Sequence, residues 1–468
     1  MASPQHPQYT KFRRFLYAVY RGGSRRQRAS RWGVWRFTPA GQVLSLTLLA
    51  SAFIGMDTTR TVVFRGFALL FGVMLLSAAF SKFFRVPFTV VRELPRFGTV
   101  GQPFEYALTV HNPSGRFQKN ITIREVLATV RPGRDEFIAT PEPGEERRNI
   151  YDRTFLVYRW YWLIAMKQGA RVKEQPVPAI PPRDSVQFRV TLLPLRRGYV
   201  RLTGIMLLRP DPFNVYKGLV HLPLEASILM LPKRYDLPSI LLPGTRKFKS
   251  GGVALASSVG DSEEFMSLRD YRPGDPLRHI HWRSWAKIGK PVVKEFQAEY
   301  FVRHALVLDT FQQEEYSQRF EEAVSLASSF ACTVRTQESL LDVLFVGPEA
   351  YSFTVGRGLG NTEQMLEILA CVQACRDKEF HELTPLLLER AAMLSGSICI
   401  LLGWDEARQE LVRTMQAVGV PLLVFVIVDD AEARAGVLHA LEMEASHDLS
   451  AVVHVLTAGH LAEELQEL

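Results

Sequence analysis

The sequence predicts a multidomain chain: a two-helix transmembrane hairpin, an all-β antiparallel sandwich and then a doubly wound α/β domain. Three observations predict it. Two uncharged apolar runs lie close together behind a polybasic N-terminus. The region from Val86 to Lys233 alternates with a period of two and has turn signals between its runs. From Phe301 onward, continuous β-branched runs alternate with amphipathic helical patterns. At 468 residues the chain exceeds the ~100–200 residues of one domain, and 47% hydrophobic with 22% charged residues excludes a disordered or collagenous chain.

The N-terminus carries the charge asymmetry. Net charge is +8, yet nine basic residues (Lys11, Arg13, Arg14, Arg21, Arg25, Arg26, Arg28, Arg31, Arg36) precede the first acid, Asp57, so the remainder sits at −1. A globular nucleic-acid-binding surface is not indicated. Thr38–Met56 and Gly66–Phe80 then approach the ~20 residues that cross a hydrocarbon core. A cleaved signal peptide fits poorly, because the basic stretch is long and a second apolar run follows at once. With the basic tail before the first run, and Lys82 and Arg85 after the second, the positive-inside rule predicts two spans in the inner (cytoplasmic) membrane with both termini cytoplasmic. The segments are then a basic tail (1–37), the hairpin (38–81), a sandwich (86–235), a linker with a motif segment (236–300) and an α/β domain (301–468).

In the sandwich region Phe104–His111 alternates between Gly101 and the Asn112-Pro113 turn. Ile121–Val130, Phe155–Leu163, Val186–Leu193, Gly198–Leu207 and Ala226–Leu231 read as further strands. Phe155–Met166 is aromatic-rich and too short to span a membrane, so it also reads as a strand, and Arg131–Arg153 reads as an inserted loop.

In the last region strands are predicted at Ala305–Leu308, Leu340–Val346, Ile398–Leu402, Leu422–Val428 and Val452–Leu456. Helices are predicted at Glu314–Thr333, Thr362–Ala374, Leu386–Met393, Glu406–Val418, Ala431–Met443 and Ala458–Leu465. Ligands of such sheets bind beyond the carboxyl ends of the strands, where Asp309 lies. Cys332, Cys371, Cys375 and Cys399 lack zinc-site spacing and read as free core thiols of a reducing compartment.

The densest cluster of charge, aromatics and turns is Gly260–Glu299. Arg272-Pro273-Gly274-Asp275 is a turn signal, and Arg278–Arg283 alternates as a strand does. His279 and His281 would share a face of that strand, but no third metal ligand accompanies them. A run of residues here resembles the domain of unknown function 58 family: Glu264-Phe265, Leu268-Arg269, Tyr271-Arg272, Gly274-Asp275, Leu277-Arg278, Ile280, His281-Trp282, Ser284, Ala286 and Val293-Lys294. Arg197-Gly198-Tyr199, the Asp211-Pro212-Phe213 turn and Leu231-Pro232 are similar to that family's layout as well.

The resemblance implies a membrane anchor, a von Willebrand factor A-like domain after the motif, and work beside a MoxR-type AAA+ ATPase. It marks Glu264, Arg269, Tyr271, Gly274, Asp275, Arg278, His281, Trp282 and Lys294 as motif and interaction residues. It also implies a divalent-ion site built from hard oxygen ligands. Asp309 takes its first position, Phe311 and Gln313 replace two serines, and Thr362 and Asp405 match the remaining ligands. With three of five oxygens present, a degenerate site is expected, binding Mg²⁺ or another divalent cation weakly or not at all.

The functional expectation is a cytoplasm-facing scaffold or adaptor in contact with the bilayer and a protein complex, without catalytic residues. The alternatives are a hydrolase-like site using Asp275, His279 or His281, and a metal-dependent ligand-binding module at Asp309. Other chemistries lack their residues: position 311 is Phe where a phosphoaspartate enzyme needs Asp, and neither a P-loop nor a Gly-x-Ser-x-Gly elbow occurs. Gly356-x-Gly358-x-Gly360 only approximates a dinucleotide fingerprint.

Overall fold

The computed structural model describes residues 12–21, 37–54, 61–84, 86–128, 130–142, 144–238, 248–249, 265–273, 275, 277–296, 300–314, 316–333, 339–347, 350–355, 362–443 and 453–468. Glu264, Gly274 and the 356–361 glycines lie outside them. The chain divides into two compact units, Met1–Leu231 and Pro232–Leu468.

The first unit begins with two apolar helices, Pro39–Ile54 and Thr61–Lys82, packed against each other. Among the described residues one segment, Val62–Lys82, is long and apolar enough to cross a membrane, and almost none of its apolar stretch is buried. The other helix is 16 residues, roughly 24 Å, short of the ~30 Å hydrocarbon core. Both turn apolar side chains outward: Val43, Leu46, Leu49, Val62 and Leu69 are each more than 60% exposed. A helix buried in a water-soluble core would hide these groups.

The feet of both helices stand on one turn of the sandwich. Thr38 N–H donates to Val215 O at 3.0 Å, and the Phe37 and Tyr216 rings meet at 4.5 Å. Gly41 approaches the Val215 carbonyl so closely that any Cβ there would collide with it. At the other foot, Gly218 lies beneath Ser81 and Phe84, where a Cβ would fall 2.6 Å from Phe84 Cβ. Phe84 and Phe88 then enter the sandwich core, each 3% exposed.

Strands β1 (Thr89–Glu93), β2 (Phe97–Thr99), β3 (Phe104–His111), β4 (Ile121–Leu127), β5 (Ala170–Val172), β6 (Gln175–Val177), β7 (Ser185–Pro194), β8 (Gly198–Pro210) and β9 (Lys217–Leu231) form two sheets. Their orders are β1-β3-β7-β5 and β2-β9-β8-β4-β6. Alternate residues such as Tyr106, Leu108 and Val110 of β3, and Ile121 and Ile123 of β4, fill the shared core. A polar clamp joins the sheets inside it. Glu125 of β4 takes Arg92 of β1 on both oxygens (3.1 and 2.6 Å) and the Tyr106 hydroxyl of β3, while Arg92 also donates to Leu224 O of β9. Arg92 and Glu125 are almost fully buried.

The expected strand at Phe155–Leu163 and the expected loop at Arg131–Arg153 are both helical, with helices at Arg134–Ala139, Ile150–Phe155 and Val157–Gln168. Aromatic and β-branched content suggested a strand, but burial follows Leu156, Trp160, Leu163 and Ile164, the i, i+4, i+7, i+8 spacing of a helix. These residues and Phe137 enclose Leu16 and Tyr17 of the helical segment 12–21 in a small core of their own. Arg159 is buried there and paired with Glu145 through two bonds of 2.7 and 2.6 Å.

The second unit holds β10 (Phe248–Lys249), β11 (Phe265–Asp270), β12 (Val292–Phe296), β13 (Tyr300–Leu308), β14 (Ser339–Val346), β15 (Ala350–Val355), β16 (Gly396–Leu401), β17 (Leu422–Val428) and β18 (Val453–Thr457). The seven-stranded main sheet runs β15-β14-β13-β16-β17-β18, parallel except at the β14–β15 edge, and the short β10 pairs antiparallel with the start of β13 off this path. Helices Gln318–Thr333 and Thr362–Cys371 cover one face, and Leu383–Ala391, Glu406–Ala417 and Ala431–Met443 the other. Successive strand residues enter opposite cores: Leu306 and Leu308 one, Ala305 and Val307 the other. β15 was not expected; it is short and its Tyr351 is exposed, as an edge position allows. All four cysteines are free; Cys375 and Cys399 are buried, but Cys371 is exposed and Cys332 half-buried, so core placement holds for two.

Replacing Glu125 with Ala strands Arg92 in the sandwich core. A loss of about 3–5 kcal/mol is expected in chemical denaturation of the detergent-solubilised chain, and a loss below about 1 kcal/mol would contradict the clamp.

Candidate functional site

Two constellations carry the candidate residues, both in the second unit. The motif segment folds as a hairpin, β11 against β12, with a bulge between Phe265 and Ser267. Its long connection turns at Arg272–Asp275, makes one 3₁₀ turn at Leu277–His279 and forms a helix at Trp282–Ile288 that ends on Gly289 in the left-handed conformation. The strand expected at Arg278–Arg283 is therefore absent. Only Ile280 forms a β-bridge, to Val293, and it is buried with Val292 and Val293. His281 N–H donates to Val292 O at 2.8 Å, tying the helix start to the hairpin.

The turn is held by charge. Arg269 donates two bonds of 2.7 Å to the two oxygens of Asp275, which also accepts from the Arg272 backbone N–H at 2.8 Å. These bonds, Arg269 first and the Arg272 backbone next, bring the Asp275 carboxyl down to about 2. Asp275 is thus committed to the turn. Arg278 donates to His279 Nε2 at 3.2 Å, and His281 Nδ1 meets Ser284 Oγ at 2.7 Å. The three side chains considered as a hydrolytic set each have partners of their own, and His279 and His281 do not share a strand face.

Lys294 stands opposite Leu268 in the hairpin register, and Tyr271 N–H donates to Pro291 O. Trp282 and Trp285 stack at 5.2 Å. Leu277 (68%), Trp282 (62%) and Ile288 (61%) are exposed, in company with the exposed side chains Arg283, Lys287 and Lys290. Leu277 and Ile288 were not singled out from sequence. Their signal is the apolar residue on each flank of an Arg- and Lys-rich turn.

The second constellation lies at the carboxyl end of β13. Asp309 is completely buried; its Oδ1 accepts from Phe311 N–H (2.9 Å) and its Oδ2 from Leu402 N–H (2.8 Å) and Arg408 Nε (2.6 Å). Arg408 also pairs with Asp405, donates to Phe311 O at 3.2 Å and lies 4.8 Å from the Phe380 ring centre. Asp405 caps the helix 406–417 through Arg408 N–H at 3.1 Å. Burial works against the Arg408 charge, but the Asp309 and Asp405 carboxylates prevail and raise its pKa.

Asp309 and Asp405 are brought together, through Arg408. Thr362 begins the helix after β15 and is not among the hydrogen-bond partners of Asp309. This donor set does not fit a divalent cation. The inward oxygen of Asp309 is already filled by a guanidinium, Phe311 offers a ring where an oxygen is needed, and an added ion would face Arg408 at short range. Among the described residues no three His, Cys, Asp or Glu side chains group as a metal site. Sequence reading missed Arg408; its signal is the Asp405-x-x-Arg408 spacing, which sets acid and base on one helix face.

Residues 267–379 match the family model described as Protein of unknown function DUF58, a stretch that runs from β11 through Asp309 to beyond the helix 362–371. The uncharacterized protein YeaD of Bacillus subtilis is 29% identical over 126 residues, 26% of this chain and 31% of that protein, so under a third of the relative's length is covered. Among solved structures, the solution structure of a CARDB domain from Pyrococcus furiosus aligns with 31% of this chain and 93% of its own, at 12% identity and a TM-score of 0.15. The crystal structure of that domain with di-metal ions gives 14% identity, 32% and 92% coverage and a TM-score of 0.17. A Salmonella alpha-2-macroglobulin mutant gives 17% identity, 35% and 8% coverage and a TM-score of 0.16. Likeness at these scores carries no argument about the fold or the site.

Two outcomes are expected. Because the folded pKa of Asp275 is depressed, the clamp with Arg269 is fully formed above the ordinary carboxylate value of 3.8 and is lost as pH falls through about 2. Carboxyl-carbon NMR should show this, and Arg269→Met should return the midpoint toward 3.8. Arg408→Ala leaves Asp309 charged and buried, with about 3–5 kcal/mol of stability lost in denaturation, while millimolar Mg²⁺ leaves the wild-type transition unmoved.

Proposed function

We propose that this chain is a membrane-anchored scaffold that presents its motif segment and α/β module to a protein partner on the cytoplasmic side. The observation that carries this reading is the surface of the motif helix. Leu277, Trp282 and Ile288 remain in solvent, although the hairpin, the Arg269–Asp275 clamp and the His281–Val292 bond hold their segment in one shape. Rigid, exposed tryptophan amid Arg and Lys is the composition of a protein-binding hot spot. Arg283, Lys287 and Lys290 favour an acidic partner surface. The family resemblance in the motif makes a MoxR-type AAA+ ATPase the first partner to test.

The anchoring part of the proposal is two spans in the inner membrane with both termini cytoplasmic. The outward apolar faces of the two helices support it, as do the shared footing of Thr38 and Ser81 on one end of the sandwich and the nine basic residues that precede the first helix. The first helix is short for a span, so this arrangement also needs residues beyond Ile54 or local thinning of the bilayer. For the module, a von Willebrand factor A-like assignment is supported by the run of parallel strands β14-β13-β16-β17-β18, the antiparallel edge strand β15 and helices on both faces. A role without turnover is supported by the separate engagement of Asp275, His279 and His281.

Native-membrane pull-down tests the reading. The wild-type chain should retain a MoxR-type ATPase, and Trp282→Ala combined with Ile288→Ser should reduce retention about thirtyfold, since these exposed groups support no core. Equal retention by the variant, or none by wild type, overturns it. A C-terminal reporter active only outside the inner membrane overturns the orientation.

A further inference from the structure

Beneath the last turn of the helix 61–82 the sandwich carries a solvent-open cavity of about 740 Å³. Phe80, Phe83 and Phe117 form an aromatic rim, and Phe83 and Phe117 are 79% and 59% exposed. Three charged residues line it: Lys119, Arg209 and Asp211. Among the described residues, neither cation has a carboxylate partner. Arg209 donates to Gln118 Oε1 at 3.0 Å and lies 4.4 Å from the centre of the Phe84 ring, and Lys119 lies 5.7 Å from that of Phe117. Asp211 has its Oδ1 occupied by the Val215 and Tyr216 backbone N–H groups, while its Oδ2 is closed off from solvent without a partner.

We propose that this cavity seats the headgroup of an anionic phospholipid. The inference rests on the membrane-anchoring reading above and adds a ligand to it. Position argues for a lipid: the cavity opens where the helix Val62–Lys82, long enough to cross a bilayer, leaves its apolar stretch at Lys82, the depth at which headgroups would lie. Charge argues for a phosphodiester. Two cations against one carboxylate leave a single positive charge, which the one negative charge of a phosphodiester neutralises and the near-dianion of a phosphate monoester exceeds. The rim argues for acyl chains. Phe80 and Phe83 continue the outward apolar face of the helix, so a lipid with its phosphate between Lys119 and Arg209 keeps its tails along hydrocarbon-facing side chains. Burial depresses the charge-holding capacity of Arg209, and an anion in the cavity would restore it.

The test uses the full chain in mild detergent, with bound lipid counted by native mass spectrometry after incubation with phosphatidylglycerol or phosphatidylcholine. About one phosphatidylglycerol per chain should survive, and phosphatidylcholine should not replace it. Lys119→Ala with Arg209→Gln should lower retention about thirtyfold, two cationic contacts being lost, while Arg209→Lys keeps most of it. Lys119→Ala alone alters an exposed side chain and should lower retention severalfold in a chain that folds normally. A chain found in the soluble fraction overturns the anchor itself. A chain that stays in membranes but binds lipid equally in every variant overturns only the headgroup site. Displacement of the lipid by millimolar glycerol phosphate assigns the cavity to a soluble phosphate compound and overturns the lipid proposal.

Discussion

The first unit is organised by a backbone contact at the foot of the helix pair. The Val215 carbonyl receives Thr38 N–H and lies against Gly41, while Asp211 holds the same turn rigid through the Val215 and Tyr216 N–H groups. Gly218, on the adjoining strand, admits Ser81 and Phe84 at the other foot. Glycine at positions 41 and 218 lets the chain of each foot approach the sandwich more closely than any larger residue would allow, which helps set the direction in which the helices leave it. That direction turns Leu46, Leu49, Leu69 and their neighbours away from the protein. An apolar solvent for them is the physical requirement behind the anchoring proposal, which would set the cavity beside Phe80 at the boundary of that solvent.

Elsewhere one device recurs, an arginine clamped by carboxylates, at sequence separations from three residues to 99. Arg92 and Glu125 tie the two sheets of the sandwich, and Arg159 with Glu145 closes the small helical core. Arg269 and Asp275 set the motif turn, and Arg408 with Asp309 and Asp405 joins β13 to the helix 406–417. Such pairs add little net stability compared with an apolar replacement, but breaking one is costly. Each therefore holds its two segments together chiefly because its loss would strand a buried or hydrogen-bonded charge. Asp275 and Asp309, the acids that attract attention as reactive groups, both serve in this way.

How much was legible in the sequence depends on how local the determining signal was. The parallel strands at 305–308, 398–401 and 422–428 are buried on both faces and read as unbroken apolar runs, so they fell where expected. The helix 157–168 did not. Its aromatic content outweighed the spacing of Leu156, Trp160 and Leu163, which makes sense only once a second helical segment supplies Leu16 and Tyr17 to receive it. The motif residues were visible as a cluster, but their shape was not, because the alternation over Arg278–Arg283 is broken by the 3₁₀ turn at Leu277–His279 and the helix that starts at Trp282. At Asp309 the acid itself was legible. The arginine that occupies it, 99 positions later in the chain, was not.

The neutralising charge at the end of β13 is covalently part of the protein. A dissociable ion would leave that edge half-charged whenever its concentration fell, and the loops around it would loosen in step with supply. A tethered guanidinium has no such dependence: dilution, chelation and competition among metals leave the local charge balance untouched. The edge is therefore a joint whose charge balance is set within the chain, by Arg408 against Asp309 and Asp405.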